Sequence, residues 1–363
     1  MLKCKVYLSD EGFGHLVRQE AIIKSMLRLN NKIHFTIQTK NKFKFAVEKF
    51  SNYKNISYIE KFNNIETVKN IDGSLNLQKT RYYFDNYLNN SETFILEELK
   101  DFNYDFVISD AVPEAHQIAK IAKVPSFLIF HFNWAWFCKK VFPDLNDVSS
   151  HMLKMYKHAS LTFLPPLEPL ETTVNFKDNG TNVPFIINDF DNFDIVQTKK
   201  KKILIMDNGT STLSKIIISN FDKFESLNDY HFYIPKNLAK ADASNITRVE
   251  GVKRIHSHIP KMDAIVARAG YNTLTECIIS KVPALFVNET KNPEIAHNIS
   301  QVFSLGLGGK MTVKNYQDNF VNCFESFMKT DYDNIKKNLN SANFEKNGAE
   351  VISKKILNYL GKL

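Results

Sequence analysis

Apolar positions along this chain follow two alternating rhythms. Short runs of buried-strand type lie at residues 5–8, 32–37, 55–59, 105–109 and 126–130, and between them the apolar residues recur at helical spacing. The clearest helical stretch is 15–29, where Leu16, Ile22, Ile23, Met26 and Leu29 share a face. Further helices are predicted at 76–99 and 114–122. A polar stretch at 188–202 follows, with Asp189, Asp191 and Asp194, ending in the lysine run 199–202. The alternation then restarts with strands at 203–206, 231–234, 264–266 and 284–287, and the tail from 315 is largely helical. Strands alternating with helices predict parallel sheets covered on both faces. The chain therefore reads as α/β, with two doubly wound, Rossmann-like domains. They are an N-terminal domain at 1–188, a linker at 189–202 and a C-terminal domain at 203–363, whose last helix is a candidate to pack back on the first domain. Two such domains facing each other leave an interdomain cleft where the carboxyl ends of the strands converge, which is where ligands of these folds bind.

The most informative segment is 262–276, a strand, a small-residue turn and then a helix. Arg268 ends the strand and is a candidate donor-binding residue. Ala269 and Gly270 let the backbone come close to a ligand, and Asn272 or Thr273 can open the helix, whose unpaired N–H groups and dipole favour a phosphate. Glu276 lies one turn in, able to reach back to a ribose hydroxyl. A second strand–loop–helix follows, in which Glu294 and Asn298 share a helix face at i, i+4 spacing. The bland alternative is a set of helix caps and solvated faces. The turn at 207–211, with Gly209 and Thr210, opens another helix and is a weaker candidate, because Asn-Gly-Thr is a common turn.

In the N-terminal half, Gly12 and Gly14 permit a tight loop between the first strand and helix, and His15 sits at the helix start. A neutral imidazole there can take a proton from a hydroxyl, and the helix N-terminus disfavours the imidazolium. Asp110, at the end of another parallel strand, faces the same way and is placed to orient His15. The structural alternative is that His15 only caps the helix and Asp110 only begins the next one. Asn133, Trp134 and Trp136 form an aromatic–polar cluster after a strand, suited either to stacking on a sugar ring or to core packing.

The run 258–311 resembles the C-terminal domain of glycosyltransferase family 28, so the resemblance implies a GT-B fold. It further implies that Gly270, Asn272 and Thr273 hold the diphosphate of a sugar nucleotide, that Glu276 binds the ribose and that Glu294 and Asn298 contact the sugar, with Ile259 near the base. Glu294 departs from the Gln common at its position. The turn at 207–211 resembles the cleft-lining loop of the same family. The pattern Gly12-x-Gly14-His15-x-x-Arg18 resembles the glycosyltransferase-like N-terminal region of plant L-arabinokinases, and also the sugar-nucleotide hydrolases of pseudaminic acid synthesis. The arabinokinase resemblance extends to Ser109-Asp110-Ala111-Val112-Pro113 and to Phe132-Asn133-Trp134. By these resemblances His15 and Asp110 are the catalytic pair, and Gly12, Gly14, Arg18, Asn133 and Trp134 bind the acceptor. The kinase half of that family is missing.

Composition narrows the partners. A 44 % hydrophobic and 24 % charged chain is globular, not disordered. The net charge of +8 suits an anionic partner or reflects a lysine- and asparagine-rich bias. No nucleic-acid-binding signature accompanies it, so nucleic acid is not expected. Cys4, Cys138, Cys277 and Cys323 show no ligand or framework spacing, and the chain runs directly into its first strand, so a cytoplasmic protein is expected. The apolar stretch 124–137 is interrupted by His131 and Asn133 and is too short to span a bilayer. The basic-aromatic stretch 40–45 is either a solvated helix face or a dock for anionic lipid at the inner face of the membrane. No Asp-x-Asp motif is placed to hold a metal, and no metal or cofactor is expected. The expected activity is an inverting, metal-independent transfer of a hexosyl or N-acetylhexosaminyl group from a nucleotide-diphosphate donor, of UDP type, to a sugar, glycan or lipid-linked hydroxyl acceptor in cell-envelope synthesis. The alternatives are a nucleotide-sugar hydrolase on the same scaffold and a non-catalytic sugar-nucleotide-binding module.

Overall fold

The first strand reads as an unbroken apolar run because its sheet is covered on both faces. Val6 and Leu8 belong to one buried cluster, and Tyr7, pointing the other way, belongs to a second. The computed structural model describes residues 1–70, 74–192, 195, 198–207, 213–239, 243–250, 255–288 and 291–363. The chain divides into two compact units. Unit 1 comprises Met1–Val68, Leu75–Asn188 and Lys346–Leu363, and unit 2 comprises Lys69–Ser74 and Asp189–Glu345.

Unit 1 holds strands β1 (Leu2–Leu8), β2 (Ile33–Gln38), β3 (Ile56–Ile59), β4 (Phe106–Asp110), β5 (Ser126–Ile129), β6 (Leu161–Leu164) and β7 (Gly180–Asn182). They form one parallel sheet in the order β3-β2-β1-β4-β5-β6-β7. Unit 2 holds β8 (Lys201–Ile205), β9 (Tyr230–Pro235), β10 (Ile246–Val249), β11 (Ala264–Arg268), β12 (Ala284–Asn288) and β13 (Gly309–Thr312). Their order is β10-β9-β8-β11-β12-β13, again parallel. In each sheet the winding reverses beside the first strand, between β1 and β4 in unit 1 and between β8 and β11 in unit 2. Such reversal points open a crevice at the carboxyl ends of the two strands, the usual ligand position in doubly wound sheets. In unit 1 that edge is marked by Leu8 paired with Asp110.

Several expectations need correction. The helix expected at 76–99 is two helices, Leu77–Asp85 and Tyr87–Lys100, because Asn86 leaves the helical conformation between them and its side chain donates to the Tyr82 carbonyl at 2.8 Å. The lysine run does not stay outside the fold. Lys201 and Lys202 begin β8, where the Lys202 N–H donates to Asp263 at 2.7 Å and Lys201 lies 4.1 Å from the centre of the Tyr332 ring. The basic-aromatic stretch is mixed: Lys40, Asn41 and Lys44 are exposed, as a solvated face requires, and Lys42 is not. Lys42 is buried and donates to the carbonyl of Asp10, and the Phe45 ring packs edge-on against Phe13 at 5.0 Å. The final helix, Gly348–Tyr359, is part of unit 1. Its Ile352, Ile356 and Leu357 join the cluster of Ile22, Ile23 and Met26, and the Ser353 hydroxyl, which donates to the Ala349 carbonyl at 2.7 Å, lies 3.3 Å from the Ile22 carbonyl. Among the described residues no helix is long and apolar enough to cross a membrane.

Candidate functional site

The unit 1 site is assembled where β1 and β4 end. After β1 the chain turns through Gly12, whose φ of +51° suits glycine, and enters the helix Gly14–Leu29 with His15 in its first turn. Asp110 is the last residue of β4. The next residue, Ala111, takes a left-handed φ of +61°. That costly conformation for a non-glycine residue is held by neighbours: the Tyr156 hydroxyl donates to the Ala111 carbonyl at 2.6 Å, and the Ser109 hydroxyl both donates to and accepts from Val112.

Asp110 is completely buried and accepts at every lone-pair position. His15 Nδ1 and Arg18 Nη2 lie 2.6 and 2.5 Å from Oδ1, and Arg18 Nε and Gln19 Nε2 lie 3.0 and 2.9 Å from Oδ2. Burial pushes its carboxyl up, but the fork of Arg18, helped by His15, overcomes that and holds it well below the usual carboxylate range. An ionised partner at Nδ1 fixes the His15 proton there and leaves the lone pair on Nε2. That is the arrangement a general base requires.

Two residues of this cluster lay outside the sequence expectation. Gln19 spans the second Asp110 oxygen. His131, just past β5, places Nδ1 3.0 Å from Arg18 Nη1, with its ring centre 6.3 Å from that of His15. The available signal for His131 was a polar residue interrupting an apolar run at the carboxyl end of a parallel strand. Arg18, read as an acceptor ligand, is 1 % exposed and spends its guanidinium on Asp110 and His131. Gly14 starts the helix. Asn133 caps the helix Trp134–Val141, its side chain accepting from the Trp136 N–H at 2.9 Å. Trp134 is a core residue, packed against Phe84, Phe132 and Phe137. Trp136 instead lines a cavity of about 430 Å³ with Asn133, Lys139, Lys140, Ser149 and Glu171, and donates from its indole to Glu171 at 2.7 Å.

In unit 2 the helix after β11 is Tyr271–Ser280, and it is Gly270, with extended backbone at φ −64° and ψ 141°, that caps it. Asn272 and Thr273 therefore lie in its first turn and do not open it. The negative φ means Gly270 is not needed there for a left-handed conformation. The first intrahelical bond runs from the Leu274 N–H to the Gly270 carbonyl at 3.0 Å, which places residues 271–273 in the first turn, where a helix directs its N–H groups outward along the axis. Asn298 is buried in the helix Pro293–Ser304 and donates to the Ala269 carbonyl at 2.9 Å, which fixes the turn leading into that helix start. Glu294 opens the same helix, its N–H bonded to the Asn292 cap at 3.0 Å. Glu276 is buried, with its Oε2 2.5 Å from His256 Nδ1, a partner not foreseen. Arg268, at the end of β11, is buried; burial raises the Asp207 carboxyl, two residues past β8, and the hydrogen bonds from Ser214 and Leu213, then the Arg268 charge, partly offset it. The Ile259 side chain is fully buried, so only its main chain can meet a ligand. Gly209 and Thr210 lie outside the described residues. Among the described residues, no group of three or more His, Cys, Asp or Glu side chains is arranged to hold a metal ion.

The architecture is the GT-B glycosyltransferase fold. The chain is similar over 100 % of its length to the calicheamicin glycosyltransferase CalG4, at 14 % identity and a TM-score of 0.69 over 99 % of that chain. It is similar to Arabidopsis thaliana UGT89C1, solved with UDP, at 10 % identity and a TM-score of 0.68, with all of both chains covered. The spinosyn rhamnosyltransferase SpnG, solved with thymidine diphosphate, matches at 12 % identity and a TM-score of 0.65, covering 98 % of this chain and all of that one. No family model and no curated relative matches the sequence. A UDP-N-acetylglucosamine 2-epimerase shares the fold at a TM-score of 0.62, so architecture alone does not fix the reaction.

Proposed function

We propose that the protein is a glycosyltransferase that moves a sugar from a nucleoside diphosphate, of UDP type, to a hydroxyl acceptor with inversion. The observation carrying this reading is the buried His15–Asp110 pair at the carboxyl edge of the unit 1 sheet, with Nδ1 and Oδ1 2.6 Å apart. The chemistry is divided between the units. In unit 2 the N–H groups of 271–273 take the diphosphate, Glu276 held by His256 takes the ribose, and Glu294 takes the sugar. Asn298 acts on that site by holding the Ala269 turn. In unit 1 the acceptor hydroxyl gives its proton to His15 Nε2 as its oxygen attacks the anomeric carbon. The bond from that carbon to the diphosphate oxygen breaks, and the electron pair leaves with the diphosphate. The helix dipole and its N–H groups stabilise the charge that develops on the leaving group, without a metal being assigned that part. The resemblance of 258–311 to family 28 supports a UDP-linked donor. A cell-envelope glycan or lipid-linked acceptor at the inner membrane face rests on that resemblance too.

Two measurements test the reading. In a thermal-shift screen against UDP, GDP, dTDP and their sugars, a ligand at a hundred times its Kd adds roughly 2.7 kcal/mol of stability. Turnover of the labelled sugar nucleotide that binds is then followed with and without candidate hydroxyl acceptors. Acceptor-dependent transfer supports the proposal. Rapid free-sugar release with no acceptor makes the protein a hydrolase on the same scaffold, and binding without turnover under any condition makes it a sugar-nucleotide-binding module.

A further inference from the structure

The loop 9–13, between β1 and the helix that carries His15, is gripped from both sides. The Ser9 N–H donates to the Asp110 carbonyl at 3.1 Å, which ties the start of the loop to the end of β4. Asp10 is buried and reaches toward the strands on the opposite side of β1. Its Oδ1 accepts from the Thr39 hydroxyl at 3.0 Å and from the N–H groups of Lys40 and Asn41 at 2.9 and 3.0 Å, all just past β2. Its Oδ2 accepts from the Asn63 N–H at 2.9 Å, past β3. The Asn63 side chain in turn donates to the carbonyls of Leu8 and Gln38, the last residues of β1 and β2, at 2.7 and 3.2 Å. One carboxylate thus joins the carboxyl ends of three strands. Among oxygen side chains only an ionised carboxylate accepts on two oxygens at once.

We propose that Asp10 is a positioning residue that fixes the loop 9–13 and so sets the place of His15 against Asp110. This deepens the transferase reading and rests on it. The Asp110 end of the contact is held by β4 and by the bonds around Ala111. The His15 end arrives through Gly12, where an added Cβ would meet nothing within 4 Å, so no packing steadies that turn. Its flanks are held instead by Asp10, by Glu11, which accepts from the Thr67 N–H at 3.1 Å, and by Phe13 against Phe45. Of these, Asp10 alone carries four hydrogen bonds. Asp10→Asn keeps the shape and removes the chemistry. Its amide nitrogen must face donors, either the Asn63 N–H or those of Lys40 and Asn41. A base displaced by about 1 Å loses roughly 100-fold in rate.

Proton–nitrogen correlation spectra of the full chain, labelled at histidine and recorded without substrate, read the His15–Asp110 contact directly. The His15 signals are assigned by their loss in His15→Gln. In Asp10→Asn they should move, while those of His231, in β9 of unit 2, stay in place. Thr39→Val, which removes a single donor from Oδ1 and keeps the side-chain shape, should move them the same way by less, and it serves if Asp10→Asn does not fold. Unmoved His15 signals, or an equal shift of every histidine, overturn the proposal. Activity gives a second readout. Asp10→Asn should lower kcat roughly 100-fold in the wild-type background. In a His15→Ala background the same change should cost no more than about 2-fold, because no base is left to misplace. Equal losses in the two backgrounds make Asp10 a support of the fold only. The spectra hold no substrate, so a failed positioning role is told apart from a failed transferase reading, which the labelled-sugar assay decides.

Discussion

His15 and Asp110 are 95 positions apart in the chain and 2.6 Å apart in space, because β1 and β4 are neighbours and both residues stand at the same end of that pair. Separating their roles is the first prediction. His15→Ala removes the proposed base and should lower turnover by roughly 10²–10⁴-fold, with nucleotide affinity unchanged in calorimetry. A loss confined to nucleotide binding would move the base elsewhere.

Asp110→Asn acts on stability as well as rate. It leaves the buried Arg18 without its counter-charge, which costs about 3–5 kcal/mol, readable as a lower urea midpoint at pH 7. Because the folded carboxyl is held below its unfolded value, its contribution is complete above about pH 4 and is lost as the pH falls further. The wild-type protein should therefore lose more stability than Asp110→Asn between pH 5 and about pH 2.5. Parallel curves for the two proteins would contradict the ion pair.

Glu168 has the opposite sign. It follows β6 next to Leu167, whose φ is +69°, and burial pushes its carboxyl up to about 7, with Oε2 lacking any partner. A raised acid stabilises the fold fully below its unfolded value and loses that contribution as the pH rises through about 7. Glu168→Gln should match the wild type near pH 5 and exceed it by roughly 2 kcal/mol at pH 8.5, after allowing for partial exposure. Thermal unfolding across that range is the measurement.

In unit 2, Glu276→Ala should weaken nucleoside diphosphate binding by at least about 10-fold while sparing the melting temperature of the unliganded protein, apart from the loss of the His256 contact. Asn298→Ala works differently. It strips the Ala269 carbonyl of its donor, costing about 1–3 kcal/mol and loosening the turn before the helix start. Affinity should then fall along with stability, whereas in Glu276→Ala affinity falls alone.

The division between what sequence reveals and what it hides follows from the range of the contacts. His15 and Asp110 were legible because glycines bracket the loop before His15 and because the acid ends an apolar run. Both signals are local. His131, Gln19 and His256 acquire meaning only from partners 113, 91 and 20 positions away, and no local pattern encodes those pairings. Short strands escaped for a related reason. The residues of β7, Gly-Thr-Asn, and of β13, Gly-Lys-Met-Thr, carry no apolar run, and they become strands through their neighbours β6 and β12. Trp134 and Trp136 show the limit of composition. The two rings are two positions apart and share one buried cluster, yet only Trp136 also lines a cavity.

Because the closing helix 348–359 covers Ile22, Ile23 and Met26, unit 1 cannot seal that flank until the span that builds unit 2 has been synthesised. Unit 2, apart from the six-residue stretch Lys69–Ser74, is one uninterrupted span and can be complete while that flank is still bare. Production from the amino end alone, stopping at the linker, would yield a protein with an oily stripe along its first helix. A tethered copy of 346–363 is the natural means of curing it.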